Sequence, residues 1–404
     1  MPNRNERFKI AFLTAHDPLD RRPWSGTIYH IGQALQKQCG DVTFLGPIPV
    51  KSKLVGKVAH KTLQKLFKKN YAYNHTFGLA KRYARYAESR LANQPFDVIV
   101  AVAGATEIAC LRTSIPIILI EDATFALLRD YHQHFSSLLP FSVREVDEIE
   151  ALAIQRANLC LYPSQWAARS AIDYYHAEPQ KVQVIPFGAN FEQNPGSEIA
   201  HQRRKSQHCR LLFIGTNWER KGGPIAYETL LKLEEMGIPA ELTVCGSVPP
   251  AHMTHPRMRV IPFLDKNQPE QRKELEELYK NADFLLFPTR NDCYGIVVCE
   301  ASAYGLPVLA SDTGGVPGVV KEGQNGYLLP YSAGGADYAR LVAEIYRDDQ
   351  RYATLVKTSR ETFESLLNWD AWGMTVKQLI AGLVESDRLP SEEVPAISND
   401  QRWP

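Results

Sequence analysis

The sequence predicts an α/β architecture of two doubly wound parallel sheets in tandem, and three observations predict it. Short apolar runs alternate with helix-period segments from end to end, the pattern that βαβ crossovers impose on sheets buried on both faces. The alternation stops at a polar stretch without period, "GANFEQNPGSEIAHQRRKSQHC" (188–209), and then restarts. At 404 residues the chain also exceeds what one hydrophobic core usually organises.

Taken in order, the first series of buried strands is "FKIAFLTA" (8–15), "VTFLG" (42–46), "DVIVAVAGA" (97–105), "IPIILIEDA" (115–123), "ANLCLYPS" (157–164) and "KVQVIPFG" (181–188). Helix-period segments such as 28–38 and 165–175 lie between them. The second series is "RLLFIG" (210–215), "AELTVCG" (240–246), "MRVIP" (258–262), "DFLLFPT" (283–289), "LPVLAS" (306–311) and "GYLLP" (326–330). Helical patterns at 336–348, 351–366 and 370–384 close the chain. The expected organisation is a first Rossmann-like domain over 1–190 and a second over 191–367. A terminal helix at about 368–385 is expected to pack back on the first domain, and the Pro-rich, polar tail 386–404 to be loose. Open α/β sheets bind ligands beyond the carboxyl ends of their strands, so the expected site is the cleft between the two sheets.

Composition narrows the class. A formal net charge of +1, with 44% apolar and 23% charged residues, exerts no global pull towards nucleic acid. The seven cysteines are scattered, mostly inside apolar runs, and no pair has zinc-ligand spacing. They read as reduced core thiols in a cytoplasmic protein. The apolar stretch in "MPNRNERFKIAFLTA" is too short for a signal peptide, and no run approaches the ~18 apolar residues of a membrane span.

Three motifs carry chemistry. In "FIGTNWERKGGPIAYETLLKLEEMG" (213–237) a strand ends at Gly215, Pro224 suits the first helical position and Gly237 the stop. The loop between holds Arg220, Lys221, Gly222 and Gly223. Two cations beside free helix amides suit a diphosphate, although such a turn also fits simple solvation. In "NDCYGIVVCEASAYGLPV" (291–308) a helix is expected from about Tyr294 to Tyr304, with Asp292 just before it and Glu300 inside it. Asp292 by itself fits a helix cap as well as a catalytic group. Glu300 interrupts an apolar helix, and a carboxylate there needs partners such as sugar hydroxyls. In "SDTGGVPGVVKEGQNGYLLP" (311–330), Gly314 and Gly315 allow close backbone approach, to a ligand or simply within a turn.

These segments together resemble retaining GT-B glycosyltransferases of family 4. "DCYGIVVCEASAYGLPV" is similar to that family's Glu-x7-Glu motif, "GTNWERKGG" to its diphosphate-binding loop and "SDTGGVP" to its glycine turn. "RRPWSGTIYHIGQAL" (21–35), "PSQWAA" (163–168) and "PFGAN" (186–190) resemble its N-terminal glycine loop, domain-end and linker segments. The resemblance implies two Rossmann-like domains facing a central cleft. It also implies hexose transfer from a nucleotide sugar, UDP- or GDP-linked, to an unidentified acceptor hydroxyl, with retention and without metal or other cofactor. By the same resemblance Glu300 would hold ribose hydroxyls, Asp292 the transferred sugar, and Lys221 with Arg220 the departing diphosphate. The amides of Gly295, Ile296 and Val297 would cap phosphate or sugar oxygens, with Gly222, Gly314 and Gly315 lining the donor. Gly26 would bring the first domain's backbone against it, and Asp122 would lie near the reaction centre. The chain departs from the pattern at Asp292, usually Glu, at Thr216, usually Arg, and at Gly318, often acidic.

Two other readings share these features: a GT-B-like sugar-nucleotide epimerase and a non-catalytic sugar-nucleotide-binding protein. A dehydrogenase is excluded, because Gly-x-Gly-x-x-Gly follows neither 8–15 nor 210–215. "EVDEIE" (145–150) reads as an exposed helix face rather than a metal motif. Finally, "KSKLVGKVAHKTLQKLFKKN" (51–70) carries seven lysines and no acid. Its periodicity predicts an amphipathic helix with Lys57, Lys61, Lys65 and Lys68 on one face. That face suits either plain solvation or an anionic membrane surface, the latter implying peripheral attachment at the inner face of a membrane.

Overall fold

A computed structural model describes residues 7–49 and 53–388. Residues 389–404, most of the expected tail, and residues 50–52, at the start of the basic segment, lie outside the described residues.

All twelve expected strands form, and they divide into two six-stranded sheets. The first contains β1 (Phe8–Leu13), β2 (Gly40–Phe44), β3 (Val98–Val102), β4 (Ile117–Ile120), β5 (Leu159–Tyr162) and β6 (Val182–Val184). The second contains β7 (Cys209–Ile214), β8 (Ala240–Cys245), β9 (Met258–Ile261), β10 (Phe284–Phe287), β11 (Val308–Ser311) and β12 (Gly326–Leu329). Every pairing is parallel. Central strands β3, β4, β10 and β11 are wholly buried, which is why their sequences are continuous apolar runs rather than alternations.

Strand order decides where ligands can go. The orders are β2-β1-β3-β4-β5-β6 and β12-β11-β10-β7-β8-β9. In the first sheet the chain reverses direction of travel between β1 and β3, in the second between β7 and β10. At such a switch point the loops leaving the two strands diverge and open a crevice. The loops after β7 and β10 are those that carry Arg220, Lys221, Asp292 and Gly295.

The helix Trp369–Arg388 packs along Thr27–Gln38 of the first lobe. Trp369 stacks on His30 at 6.3 Å with the rings within 7° of parallel, and Gln38 donates to Asp370 at 2.8 Å. Two local expectations need correction. The stretch 188–209 is not uniformly irregular, since Glu198–Gln202 forms a helical turn. The segment "EVDEIE" is not an exposed face: in the helix Pro140–Arg156, Val146, Ile149 and Glu150 are buried. Glu150 shares its stripe with Val146, Ala153 and Ile154 at three- and four-residue steps, so the helix that buries them buries it too.

Candidate active site

The loop after β10 is stapled to the loop after β7. Arg290 N–H donates to the Arg220 carbonyl at 2.7 Å, Thr289 Oγ1 to the Asn291 carbonyl at 3.1 Å, and Arg220 Nη1 to the same carbonyl at 3.0 Å. This brings Lys221 Nζ into an ion pair with Asp292. Gly295, at φ +98°, begins the helix Ile296–Ala303, two residues later than the sequence implies. A side chain at Gly295 would be strained by that φ and would meet the Phe287 ring at 2.9 Å. The turn therefore requires glycine, and Gly295, Ile296 and Val297, at the start of the helix where amides lack intrahelical partners, line the cavity.

Glu300 sits on that helix with 1% of its surface exposed. Lys266 Nζ donates to its Oε1 at 2.6 Å and Tyr279 Oη to its Oε2. A buried carboxylate held by one cation and one hydroxyl is partnered yet keeps lone pairs for a ligand. Lys266 also donates to the Ser25 carbonyl at 3.1 Å, so it ties the glycine loop of the first lobe to the site in the second. Beside it, Asn267 accepts from Arg21 N–H at 3.1 Å and donates to Asp20 at 2.9 Å. A cavity of about 310 Å³ results, lined by Lys221, Arg220, Asp292, Glu300, Lys266 and the start of the helix Ile296–Ala303.

A larger cavity, of about 950 Å³, occupies the strand ends of the first lobe. Ala103 follows β3, Glu121 and Asp122 follow β4, and all three line it together with Cys293 of the second lobe. Burial and the nearby Asp292 charge push the Asp122 carboxyl up to about 7. Burial first, then the surrounding acids, hold Glu121 well above the usual carboxylate range. Sequence neighbours line the two cavities, Asp292 the smaller and Cys293 the larger, and here Tyr131 Oη accepts the Asp292 N–H at 2.8 Å and Asn291 Nδ2 donates to the Tyr131 carbonyl at 2.7 Å.

Lys221, Arg220, Asp292, Glu300, Gly295, Ile296 and Val297 thus line one cavity, and Asp122 lines its neighbour. The glycines sit differently. The space a side chain would need at Gly314 and Gly315 is filled by the backbone carbonyls of Asp292 and Cys293, and at Gly222 by that of Pro288. These residues set the positions of the loops, and none of the three lines the cavity. Gly26, at φ +98°, packs against the Arg21 carbonyl and ends the turn that presents Ser25. Lys57, Lys61 and Lys65 lie exposed on the helix Lys53–Phe67, and Lys68 directly follows it.

Residues 26–193 match the family model for glycosyltransferase family 4, and residues 198–362 the model for glycosyl transferases group 1. The chain belongs to the GT-B, family 4-like glycosyltransferases. The chain is 27% identical over 274 residues to a D-inositol 3-phosphate glycosyltransferase of Corynebacterium efficiens, covering 63% of each chain. It is 29% identical over 217 residues to one of Acidothermus cellulolyticus, covering 49% of this chain and 47% of that relative. The matched segments thus span less than two thirds of these relatives' own length. Among solved structures, a sucrose-phosphate synthase from Thermosynechococcus elongatus aligns at TM-score 0.67 and 17% identity, over 94% of this chain and 100% of that one. Anabaena HepE in complex with UDP and glucose aligns at TM-score 0.60 and 17% identity, with the same coverage. At such identity the likeness shows the fold: GT-B, two Rossmann-like sheets facing a cleft.

Reading the sequence missed Lys266, Tyr131, Glu121 and Glu150. Lys266 and Tyr131 lie in polar loops whose partners are distant in sequence, so no local signal marks them. Glu150 was legible as the one acid on an apolar stripe.

Proposed function

We propose that the enzyme moves a hexose from a nucleoside diphosphate sugar, UDP- or GDP-linked, to an acceptor hydroxyl, with retention at the anomeric carbon. The observation that carries this reading is the convergence on one cavity of a buried carboxylate, Glu300, the cations Lys221 and Arg220, and the amides beginning the helix Ile296–Ala303. In this reading Glu300 accepts the ribose hydroxyls, and Lys266 gives up part of its ion pair when the nucleotide enters. Asp292 accepts hydroxyls of the transferred sugar. Cleavage of the glycosyl–phosphate bond leaves charge on the diphosphate, where Lys221, Arg220 and the helix amides stabilise it. Asp122, across the junction from Asp292, faces the acceptor side of the reaction centre. Residues 1–190 then serve as the acceptor domain and 191–367 as the donor domain.

The test is a donor panel of UDP-, GDP- and ADP-sugars, with the anomeric configuration of the product read by NMR. Consumption of none of them, or an inverted product, would overturn the reading. Side chains and amides take the part of a metal here, so turnover is expected to persist in excess EDTA; loss of turnover restored by magnesium or manganese argues the reverse. An epimerase would interconvert sugar nucleotides without an acceptor, and the same panel detects it.

A second reading concerns attachment. On the helix Lys53–Phe67, Val58, Leu66 and Phe67 are exposed among exposed lysines, Leu66 to 68%. Apolar side chains set among cations suit a shallow contact with anionic lipid headgroups, at about 1 kcal/mol per lysine near the surface. Among the described residues no helix is long and apolar enough to cross a membrane. Co-sedimentation with phosphatidylglycerol vesicles is expected at low salt, and to fall when Lys57, Lys61, Lys65 and Lys68 are changed to Gln. A wild-type protein that ignores such vesicles removes this reading.

A further inference from the structure

The loop 130–137 of the first lobe reaches the second lobe at the turn that carries Asp292. Two non-glycine residues, Asp130 at φ +58° and Ser137 at φ +53°, take the left-handed conformation at its ends. Such strain persists only where surrounding contacts impose it, and here they do. Ser137 N–H donates to Asp130 Oδ1 at 3.1 Å, and Asp130 N–H to the Phe135 carbonyl at 3.2 Å. From behind, Asn70 Nδ2 donates to the Ser136 carbonyl at 2.8 Å. The loop is thus closed on itself and anchored to its own lobe. Near its start stands Tyr131, whose ring centroid lies 5.5 Å from that of Trp166.

The second lobe provides a socket for this side chain. Tyr131 Oη accepts the Asp292 N–H at 2.8 Å and lies 3.3 Å from both the Asp292 carbonyl and Thr313 Oγ1. Asn291 Nδ2 donates to the Tyr131 carbonyl at 2.7 Å. Gly314, at φ +54°, is where the socket opens, because a Cβ there would run into the Tyr131 hydroxyl and the Asp292 carbonyl. The glycine turn "SDTGGVP" therefore makes room for a side chain of the other lobe. Gly318 does the same a turn later, where an added Cβ would stand 2.8 Å from Ser164 Cβ.

The anchor matters most once a donor is in place. Lys221 holds the Asp292 carboxylate in an ion pair. A diphosphate draws on the same cation, so that pair weakens as the donor enters, and the carboxylate then depends on its backbone for position. Gly315 N–H donates to the Asp292 carbonyl at 3.1 Å, while the Asp292 N–H is held by Tyr131. Burial pushes the Tyr131 hydroxyl up to about 12, so it keeps its proton and acts by hydrogen bonding alone. Tyr131 lines neither cavity, so any effect it has on the chemistry passes through Asp292.

We infer that Tyr131 is a positioning residue for transfer: a plug from the first lobe whose hydroxyl fixes the backbone of Asp292 and so sets that carboxylate against the transferred sugar. The inference rests on the glycosyltransfer reading and adds to it a residue from the opposite lobe.

Tyr131→Phe, which keeps the ring and removes only the hydroxyl, tests it in the full chain. With the best UDP- or GDP-sugar, kcat is expected to fall about tenfold or more, the cost of a slightly misplaced substrate-holding group. The Kd of the matching UDP or GDP, read by calorimetry, should change less than about twofold, because Glu300 and its partners Lys266 and Tyr279 are untouched. In an Asp292→Asn background the same change should cost less than about a further twofold, since no carboxylate remains to be positioned. Hydrogen exchange read by mass spectrometry over residues 290–294 gives a measure independent of turnover: the Asp292 amide is expected to exchange about tenfold faster in the variant. Unchanged kcat, a kcat loss matched by an equal loss of nucleotide affinity, independent losses in the double variant, or unchanged exchange each overturns the inference. If exchange quickens while even the wild-type protein consumes no nucleotide sugar, the transfer reading falls and the anchoring of Asp292 by Tyr131 stands.

Discussion

Two side chains illustrate how much of the chemistry rests on single groups. Glu300 is buried and its partners, Lys266 and Tyr279, are both donors, so Glu300→Gln keeps the shape while replacing one acceptor oxygen by an amide. Lys221→Ala removes a cation and frees Asp292 from its ion pair. Each variant is expected to lose about 10²–10³ in kcat/KM for the donor, the usual cost of one charge-stabilising group. Each should still melt cooperatively as a folded protein, since no strand and no apolar core side chain is altered. Near wild-type turnover in both would remove the donor-site roles. Asp292→Asn should also lose rate, whereas Asp292→Glu restores the residue the family usually carries and is expected to retain part of it.

At the scale of elements, the strands were legible almost completely, because a parallel strand buried on both faces has nowhere to put a polar residue. β3 and β4 consist entirely of buried Val, Ile, Leu and Ala, and no helical period competes with that pattern. Helix starts were less legible. The helix Ile296–Ala303 begins two residues late because Gly295 takes a left-handed conformation, which periodicity does not register. That conformation also supports a prediction. Gly295→Ala places a methyl group against Phe287 at φ +98° and should destabilise the protein by about 1–3 kcal/mol. Tilting the first turn should also weaken UDP binding about tenfold or more, and calorimetry reads both effects. The same substitution at Gly237, which has φ +71° but open space around its Cβ, serves as the control, with strain alone and no change in UDP affinity. Site residues supplied by neighbouring elements, such as Lys266 from the loop after β9, stayed hidden because their partners come from strand order, which periodicity does not encode.

The whole molecule places opposing titrations around its cleft, and together they shape stability against pH. Asp122 and Glu150, with ordinary values of 3.8 and 4.5, are pushed up to about 7 and about 8. Between roughly pH 4 and 8 the unfolded chain has released protons that the folded chain still holds, so rising pH favours unfolding. Their contribution is complete at acid pH and is lost as pH rises through 7 and 8. His30 works in the other direction: burial, aided by Lys266, Arg21 and Arg272, holds it down to about 3 against an ordinary 6.5. Its contribution is present above pH 6.5 and is lost as pH falls towards 3. From these three groups the folded state is favoured most near pH 4, and their balance is expected to decline from there to about pH 8, because two carboxyls outweigh one imidazole. Asp122→Asn keeps the size of the side chain and abolishes its titration. Its melting temperature relative to wild type should accordingly rise between pH 5 and pH 8.5. That rise is worth up to about 3 kcal/mol, since of the shift from 3.8 to about 7 only the two units between pH 5 and 7 fall in this window, at ~1.4 kcal/mol each. Differential scanning calorimetry at matched ionic strength measures that difference. A constant offset across the range would mean that Asp122 ionises normally in the folded protein, and that its carboxyl does not feel the burial the structure gives it.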